Sequence, residues 1–223
     1  MQYVLVHGAF SDGSSWHRVI PELRQAGHVV TAVQLGLDSF AGDVATVRRA
    51  IARTTEPVVL AGHSYGGAVI TEAADGRSEV KALVYVAALA PDAGQSAAQL
   101  AERFPSTAGS AALRADEAGY ASLDPDRFVE LFAAGAPTDD ADVLAAVQGP
   151  INGACFGATL SAAAWTSLPS VYVRARNDQM IHPDLQAWSA GHLGARVIEL
   201  DAPHAAHLTH PQEVAMALLS ATA

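Results

Sequence analysis

Apolar residues fall in short, nearly unbroken runs along this chain, at 2–6, 28–33, 57–61, 80–87, 170–175 and 195–200. These runs, rich in Val, Leu, Ile and Ala, lack the polar alternation of a strand with one wet face and read as strands covered on both sides. Between them, apolar positions recur at helical spacing over 16–25, 43–53, 65–75, 184–191 and 211–220. Pro183 and Pro211 stand where first-turn prolines belong. Strand alternating with helix predicts an α/β fold, a parallel sheet joined by crossover helices.

One stretch departs from this rhythm. From Pro91 to Leu168 no run reads as a strand, and Ala-rich segments are cut by Pro105, Pro125, Pro137 and Pro150. Asp124 before Pro125, and Thr138 with the acids after it, are helix-start signals. A structureless loop of that length does not suit a compact domain. Residues 91–167 are therefore expected to form a helical insertion after the fourth strand, with 1–90 and 168–223 making one core. The insertion leaves a strand at its carboxyl end, the side on which open α/β sheets bind ligands, so its expected role is a lid.

Composition narrows the classes. Of 223 residues, 50% are hydrophobic and 16% charged, which excludes a disordered chain. The net charge of −10, with no Lys/Arg run, gives no electrostatic footprint for nucleic acid or an anionic membrane. The single cysteine, Cys155, forms no intrachain bridge, excludes a Cys-rich zinc site and reads as inert. The longest apolar run, 82–90, falls far short of the roughly 20 residues of a membrane helix. The opening MQYVLVHGAF reads as a strand rather than a leader. A soluble, cytoplasmic protein acting on a small molecule is expected. There is no P-loop, dinucleotide fingerprint or metal-ligand pair at helical spacing, so no cofactor and no metal are expected.

The strongest chemical signal is Gly62-His63-Ser64-Tyr65-Gly66, with Gly67 and Ala68 behind it. It follows the strand at 57–61 and opens a helical pattern, which is the context of a nucleophile elbow. The glycines let strand and helix approach without side-chain clash, and Ser64 Oγ is pushed up at the carboxyl edge of the sheet. A serine needs a base held in the right tautomer. Downstream histidines are His182, His192, His204, His207 and His210. His204 lies four residues past Leu200, in the loop after the last strand, and is the expected base. His207 is the second candidate, and His210, before Pro211, reads as a helix-start residue. For the acid, Asp178 lies just beyond the fifth strand and reaches across from a neighbouring strand end. Asp92, after the fourth strand, stays open as a second candidate, while Asp201 is too near His204 in sequence to reach its Nδ1 easily. His7-Gly8-Ala9-Phe10 after the first strand matches an oxyanion-hole arm, whose donors would be the backbone amides of Ala9 and Tyr65. His7, His17, His28 and His63 read as bracing or solvated imidazoles.

Together, HGAF, GHSYGG, RNDQMIHPDLQAW and DAPHAAHLTHPQEVA resemble the α/β-hydrolase superfamily, and within it the compact methylesterase/hydroxynitrile-lyase branch. The resemblance covers about residues 1–90 and 168–223, and the insertion matches only in position. It implies a six-stranded, mostly parallel sheet of order 2-1-3-4-5-6 flanked by helices, with the family's usual leading hairpin absent. It places the nucleophile at Ser64, the acid at Asp178, the base at His204 and the oxyanion amides at Ala9 and Tyr65. Lyase members resemble the esterases but carry a lysine just after the catalytic histidine and a threonine after the early histidine. Here those positions are Ala205 and Gly8, so the resemblance implies an esterase.

The expected activity is hydrolysis of a carboxylic ester of a small to medium apolar substrate through an acyl-enzyme on Ser64, without a cofactor. Two other readings use the same site: a non-hydrolytic enzyme, such as a C–C lyase or polyketide-type cyclase, and a ligand-binding receptor. Phe104, Phe128, Phe132, Phe156 and Trp165 fall in the insertion, where the sequence does not sort pocket lining from packing.

Overall fold

The computed structural model describes residues 1–222; Ala223, the last residue of the expected core segment, lies outside the described residues. Six strands form the main sheet: β1 (Gln2–Val6), β2 (Val29–Ala32), β3 (Val58–His63), β4 (Val80–Val86), β8 (Ser170–Ala175) and β9 (Arg196–Leu200). They run in the order β2-β1-β3-β4-β8-β9, every pair parallel. This is the topology implied for the α/β-hydrolase fold. Strands β5 (Leu113–Ala115), β6 (Tyr120–Leu123) and β7 (Ile151–Asn152) lie within the insertion.

The apolar runs of the central strands are continuous because the sheet is covered twice there; β2 and β9, also expected to be covered on both sides, are half-buried to exposed because they lie at the sheet's edges. Tyr3, Leu5, Val59, Ala61, Val84, Val86, Val171 and Val173 face α1 (Val19–Gln25) and α11 (Pro211–Leu219). Val4, Val6, Leu60, Leu83, Tyr85 and Tyr172 face the other layer, formed by α2 (Phe40–Ala52), α3 (Tyr65–Ala73), α9 (Pro183–His192) and the insertion. Successive residues of a strand point to opposite faces, so burying both makes every position apolar.

Two helix starts differ from expectation. The helix expected over 16–25 is split into a 3₁₀ turn at Gly13–Trp16, whose Ser14 amide is capped by the Asp12 carboxylate, and α1. Starting at Val19 keeps Pro21 in the first turn, where its missing N–H costs nothing; a start at Trp16 would bury Pro21 in the helix interior. The helix expected from 43 begins at Phe40, because the Ser39 hydroxyl accepts from the Gly42 amide.

The insertion is not purely helical, contrary to expectation. It holds α4 (Ala97–Ala101), α5 (Ala108–Ala111), α6 (Phe128–Phe132), α7 (Thr138–Ala146) and α8 (Ala154–Gly157), together with the antiparallel sheet β5-β6-β7. Strands of two to four residues are too short to show a period of two. The β5–β6 turn did carry a signal. Asp116 Oδ1 accepts from the amides of Ala118 and Tyr120, and Gly119 sits at φ +84°. α10 (Ala206–Thr209) completes the helices. Among the described residues no helix is long and apolar enough to cross a membrane.

Candidate active site

Ser64 occupies the single residue between β3 and α3, at φ 54° and ψ −124°. That conformation costs an L-residue on the order of 1–3 kcal/mol and persists only where neighbours over-determine it. Here the Ser64 amide donates to Val86 O at 3.2 Å, while its carbonyl accepts from the Gly67 and Leu89 amides at 3.0 Å each. Close backbone approach is the reason for the glycines. A Cβ on Gly66 would sit 2.6 Å from His7 O, and one on Gly8 would sit 2.7 Å from Ser64 Cβ. The HGAF loop and the elbow are thus in direct contact.

Asp178, in the loop after β8, and His204, in the loop after β9, meet through His204 Nδ1 and Asp178 Oδ2 at 2.8 Å, both side chains buried. The carboxylate is fully engaged. Oδ1 accepts from the Met180 amide at 2.7 Å and the Ile181 amide at 3.0 Å, and Oδ2 also accepts from Gln186 Nε2 at 2.8 Å. Gln186, fully buried on α9, also accepts from the Ala175 amide of β8 (2.9 Å) and donates to the Ile181 carbonyl of the loop between them (3.1 Å). Sequence reasoning missed this residue; a glutamine at a core-facing helix position, eight residues past the candidate acid, was the available signal.

The other acids are engaged elsewhere. Asp92 pairs with His192 at 2.8 Å and Asp201 with Arg176 at 2.6 Å, both near the surface. Since Nδ1 of His204 is taken by Asp178, Nε2 is the nitrogen free for proton transfer; it is buried and has no partner among the described residues. Ser64 Oγ and His204 Nε2 are not hydrogen-bonded to each other. What joins the elbow to the His204 loop is His63, whose Nε2–H donates to the His204 carbonyl at 3.0 Å and whose ring centroid lies 4.5 Å from that of His204. Phe132 of α6 closes the loop from the insertion side, edge-on to His204 at 4.8 Å, with its carbonyl accepting from the Ala205 amide.

The remaining imidazoles brace the structure. His7 Nε2 accepts from the Leu35 amide, which leaves the hydrogen on Nδ1 for the Gly8 carbonyl. Burial lowers its pKa. His207 is fully buried between Trp16 and His63, with ring centroids 4.7 and 4.4 Å away, and neither ring nitrogen has a partner among the described residues. Burial, then the neighbouring His204 and His17, push its pKa down to about 3. His63 is lowered by burial and by His207 and His204. These rings are neutral at ordinary pH.

The Tyr65 amide opens α3, where no carbonyl a turn earlier exists to accept it. The Ala9 amide makes no hydrogen bond among the described residues, and Ala9 borders the cavity at Ser64. The Tyr65 ring is anchored by its hydroxyl, which donates to buried Asp43 at 2.9 Å. Cys155, buried beside it, is pushed up to about 11 by desolvation and is no nucleophile at neutral pH. Among the described residues no group of three or more His, Cys, Asp or Glu side chains is placed to hold a metal ion.

A cavity of about 560 Å³ opens over Ser64 between the core and the insertion. Phe104 and Phe156 line it, whereas Phe128 and Phe132 stack on each other at 5.0 Å and pack α6. Trp165 Nε1 donates to the Pro91 carbonyl at the root of the insertion.

The alpha/beta hydrolase family model matches residues 3–217. Methylesterase 2 of Arabidopsis thaliana is similar to this chain, 27% identical over 228 residues that cover 89% of this chain and 87% of that protein. The carbendazim hydrolyzing esterase of Nocardioides sp. (strain SG-4G) is 37% identical over 107 residues, 42% of this chain and 44% of that protein. Among solved structures, a pyrethroid hydrolase from Sphingobium faniae JZ-2 superposes with a TM-score of 0.83 at 21% identity, over 98% of this chain and 96% of that one.

Proposed function

The chain belongs to the alpha/beta hydrolase family, in a methylesterase-like branch, and from that premise we propose that it cleaves its ester through an acyl-enzyme on Ser64. It is a carboxylic-ester hydrolase, as the methylesterases it is similar to are by name. The observation that carries the mechanism is the buried Asp178–His204 pair, which leaves His204 Nε2 free in a loop that His63 ties to the strained Ser64 elbow at the sheet's carboxyl edge.

Ser64 Oγ attacks the ester carbonyl as its proton passes to His204 Nε2; Asp178 holds the imidazole through Nδ1 and stabilises the imidazolium. The oxyanion is received by the Ala9 and Tyr65 amides, each contributing about 3 kcal/mol to lowering the barrier. The C–O bond to the alcohol then breaks, and the departing oxygen takes the proton from His204. Water attacks the acyl-enzyme by the same route, its proton going to His204, and returns Ser64 and the free acid. Residues 91–167 form the lid that excludes bulk water and shapes the acyl and alcohol pockets. A lyase-type reaction is disfavoured because Ala205 follows His204 and no Lys or Arg lines the cavity. A cation to receive a departing anion is missing.

The test is hydrolysis of p-nitrophenyl acetate, butyrate and octanoate by the wild type, Ser64→Ala, His204→Ala and His207→Ala. The proposal expects a loss of at least about 10³-fold in kcat/KM for the first two variants and far less for the third. Folded wild type without Ser64-dependent turnover would overturn it and leave a non-hydrolytic enzyme or a receptor.

A further inference from the structure

The cavity over Ser64 is apolar except at a few positions, and most of those are already occupied. Thr107 Oγ1 donates to the Met180 carbonyl and accepts from the Ser110 amide, while Ser110 Oγ donates to the Thr107 carbonyl and accepts from the Thr107 amide. These two hydroxyls close the capping box of α5 and have little left for a ligand. Ser106 and Glu102 are exposed at the outer rim. Ser64 is the nucleophile. That leaves His182.

His182 lies four residues past Asp178 and is the N-cap of α9. Its Nδ1 accepts from the Asp184 amide at 3.2 Å, so the ring hydrogen is on Nε2, at the other edge of the ring. The ring stacks on Phe104, with centroids 6.5 Å apart and planes at 25°. Cap and stack fix its orientation. Nε2 has no partner among the described residues, and the side chain, 25% exposed, lines the cavity. A donor held in a mostly apolar wall loses water when a ligand fills the space, and it then favours ligands that bring an acceptor.

We infer that His182 Nε2–H is the donor of a polar subsite in this cavity, and that the substrate carries an uncharged acceptor, a carbonyl or ether oxygen, away from the ester itself. The inference rests on the cavity being the ester site proposed above. The acceptor is uncharged because no Lys or Arg lines the cavity and Glu102 stands at its rim, so a carboxylate is repelled. Arg103, next in sequence, turns away to lie over the Trp188 ring at 4.0 Å.

The test uses matched p-nitrophenyl esters: pentanoate with 4-oxopentanoate, hexanoate with 5-oxohexanoate, and octanoate with 7-oxooctanoate. In at least one pair the oxo ester is expected to have kcat/KM at least about fivefold higher, through KM. His182→Asn keeps an oxygen to cap the Asp184 amide, while its own amide N–H, on a shorter side chain, falls short of the position that Nε2 holds in the cavity. Its oxo-to-plain ratio is expected to collapse to about one. The mono-p-nitrophenyl ester of glutaric acid, with a carboxylate at the 5-oxo position, is expected to be turned over more slowly than the hexanoate. No preference in any pair, a preference that survives in His182→Asn, or a glutarate ester faster than the oxohexanoate would each overturn the subsite.

If turnover is Ser64-dependent without such a preference, the esterase reading stands and the subsite falls. If no Ser64-dependent turnover occurs, calorimetric binding of methyl 5-oxohexanoate against methyl hexanoate to Ser64→Ala, with and without His182→Asn, decides the subsite alone. The oxo ester is expected to bind tighter only where His182 is present; equal binding overturns the inference.

Discussion

His204 stands between two buried polar neighbourhoods of opposite character. On one side Asp178 accepts four hydrogen bonds, from His204, Gln186 and two backbone amides. On the other, His63 Nδ1 and both nitrogens of His207 are buried with no partner among the described residues, and Trp16 Nε1 beside them is likewise unpaired. A fully hydrogen-bonded carboxylate is held rigidly, whereas buried imidazoles without a partner are driven toward the neutral form. The first neighbourhood orients the base. The second withholds positive charge from it, so His204 is the ring of this cluster that has a carboxylate to stabilise its imidazolium.

Substitutions on the satisfied side are expected to have the largest effects. Asp178→Asn should lower kcat by about 10³- to 10⁴-fold in the p-nitrophenyl butyrate assay, because the amide favours the wrong tautomer of His204. An effect within tenfold would show that Asp178 is only a structural bond. Gln186→Leu removes one donor to Asp178 and the bridge to β8. We expect about a tenfold loss in kcat and about 2 kcal/mol of stability in urea unfolding. A stability loss with kcat unchanged assigns Gln186 to packing alone.

The unpaired side is sharpened by pH. The folded pKa of His207 is depressed to about 3, below an unfolded value of about 6.5. Its neutral form therefore costs nothing above pH 6.5, and stability is lost progressively as pH falls from there toward 3. Between pH 7.5 and 5.0 this one residue removes about 2 kcal/mol. His207→Leu does not titrate, so its urea midpoint should fall less than that of the wild type over this interval; parallel declines would show that His207 is not buried neutral. Asp92→Asn is the smallest change. The Asp92–His192 pair is near the surface and apart from His204, so kcat/KM should stay within about twofold.

The insertion and the core differ in how far they could be read. In the core the central strands β1, β3, β4 and β8 are buried on both faces, so Val, Leu and Ile fill them almost continuously and their position is written locally. Ser64 is legible for the same reason: glycines, strand and helix all lie within a dozen residues of it. Chain position favoured Asp178 over Asp201 but left Asp92 open, and the structure puts the Asp178 carboxylate on His204 Nδ1. In the insertion, β7 pairs through two residues, Ile151 and Asn152, with a strand about thirty residues earlier. Nothing local marks such a strand. Gln186 as a bridge depends on the Ala175 amide of another element, whose position is set only on folding.

Periodicity and contiguous motifs along the chain therefore carry the order of the long strands and helices, the strained serine turn, and the candidate acid and base at consecutive strand ends. Tertiary structure decided the rest. It chose which aromatic side chains of the insertion face the cavity, Phe104 and Phe156 rather than Phe128 and Phe132. It also chose which polar atoms find partners and which, like those of His207, do not. The division has a physical cause. Secondary structure and turns answer to neighbours along the chain, whereas burial and hydrogen-bond satisfaction answer to atoms brought together from distant segments, here from Asp178, Gln186 and His204 around one carboxylate.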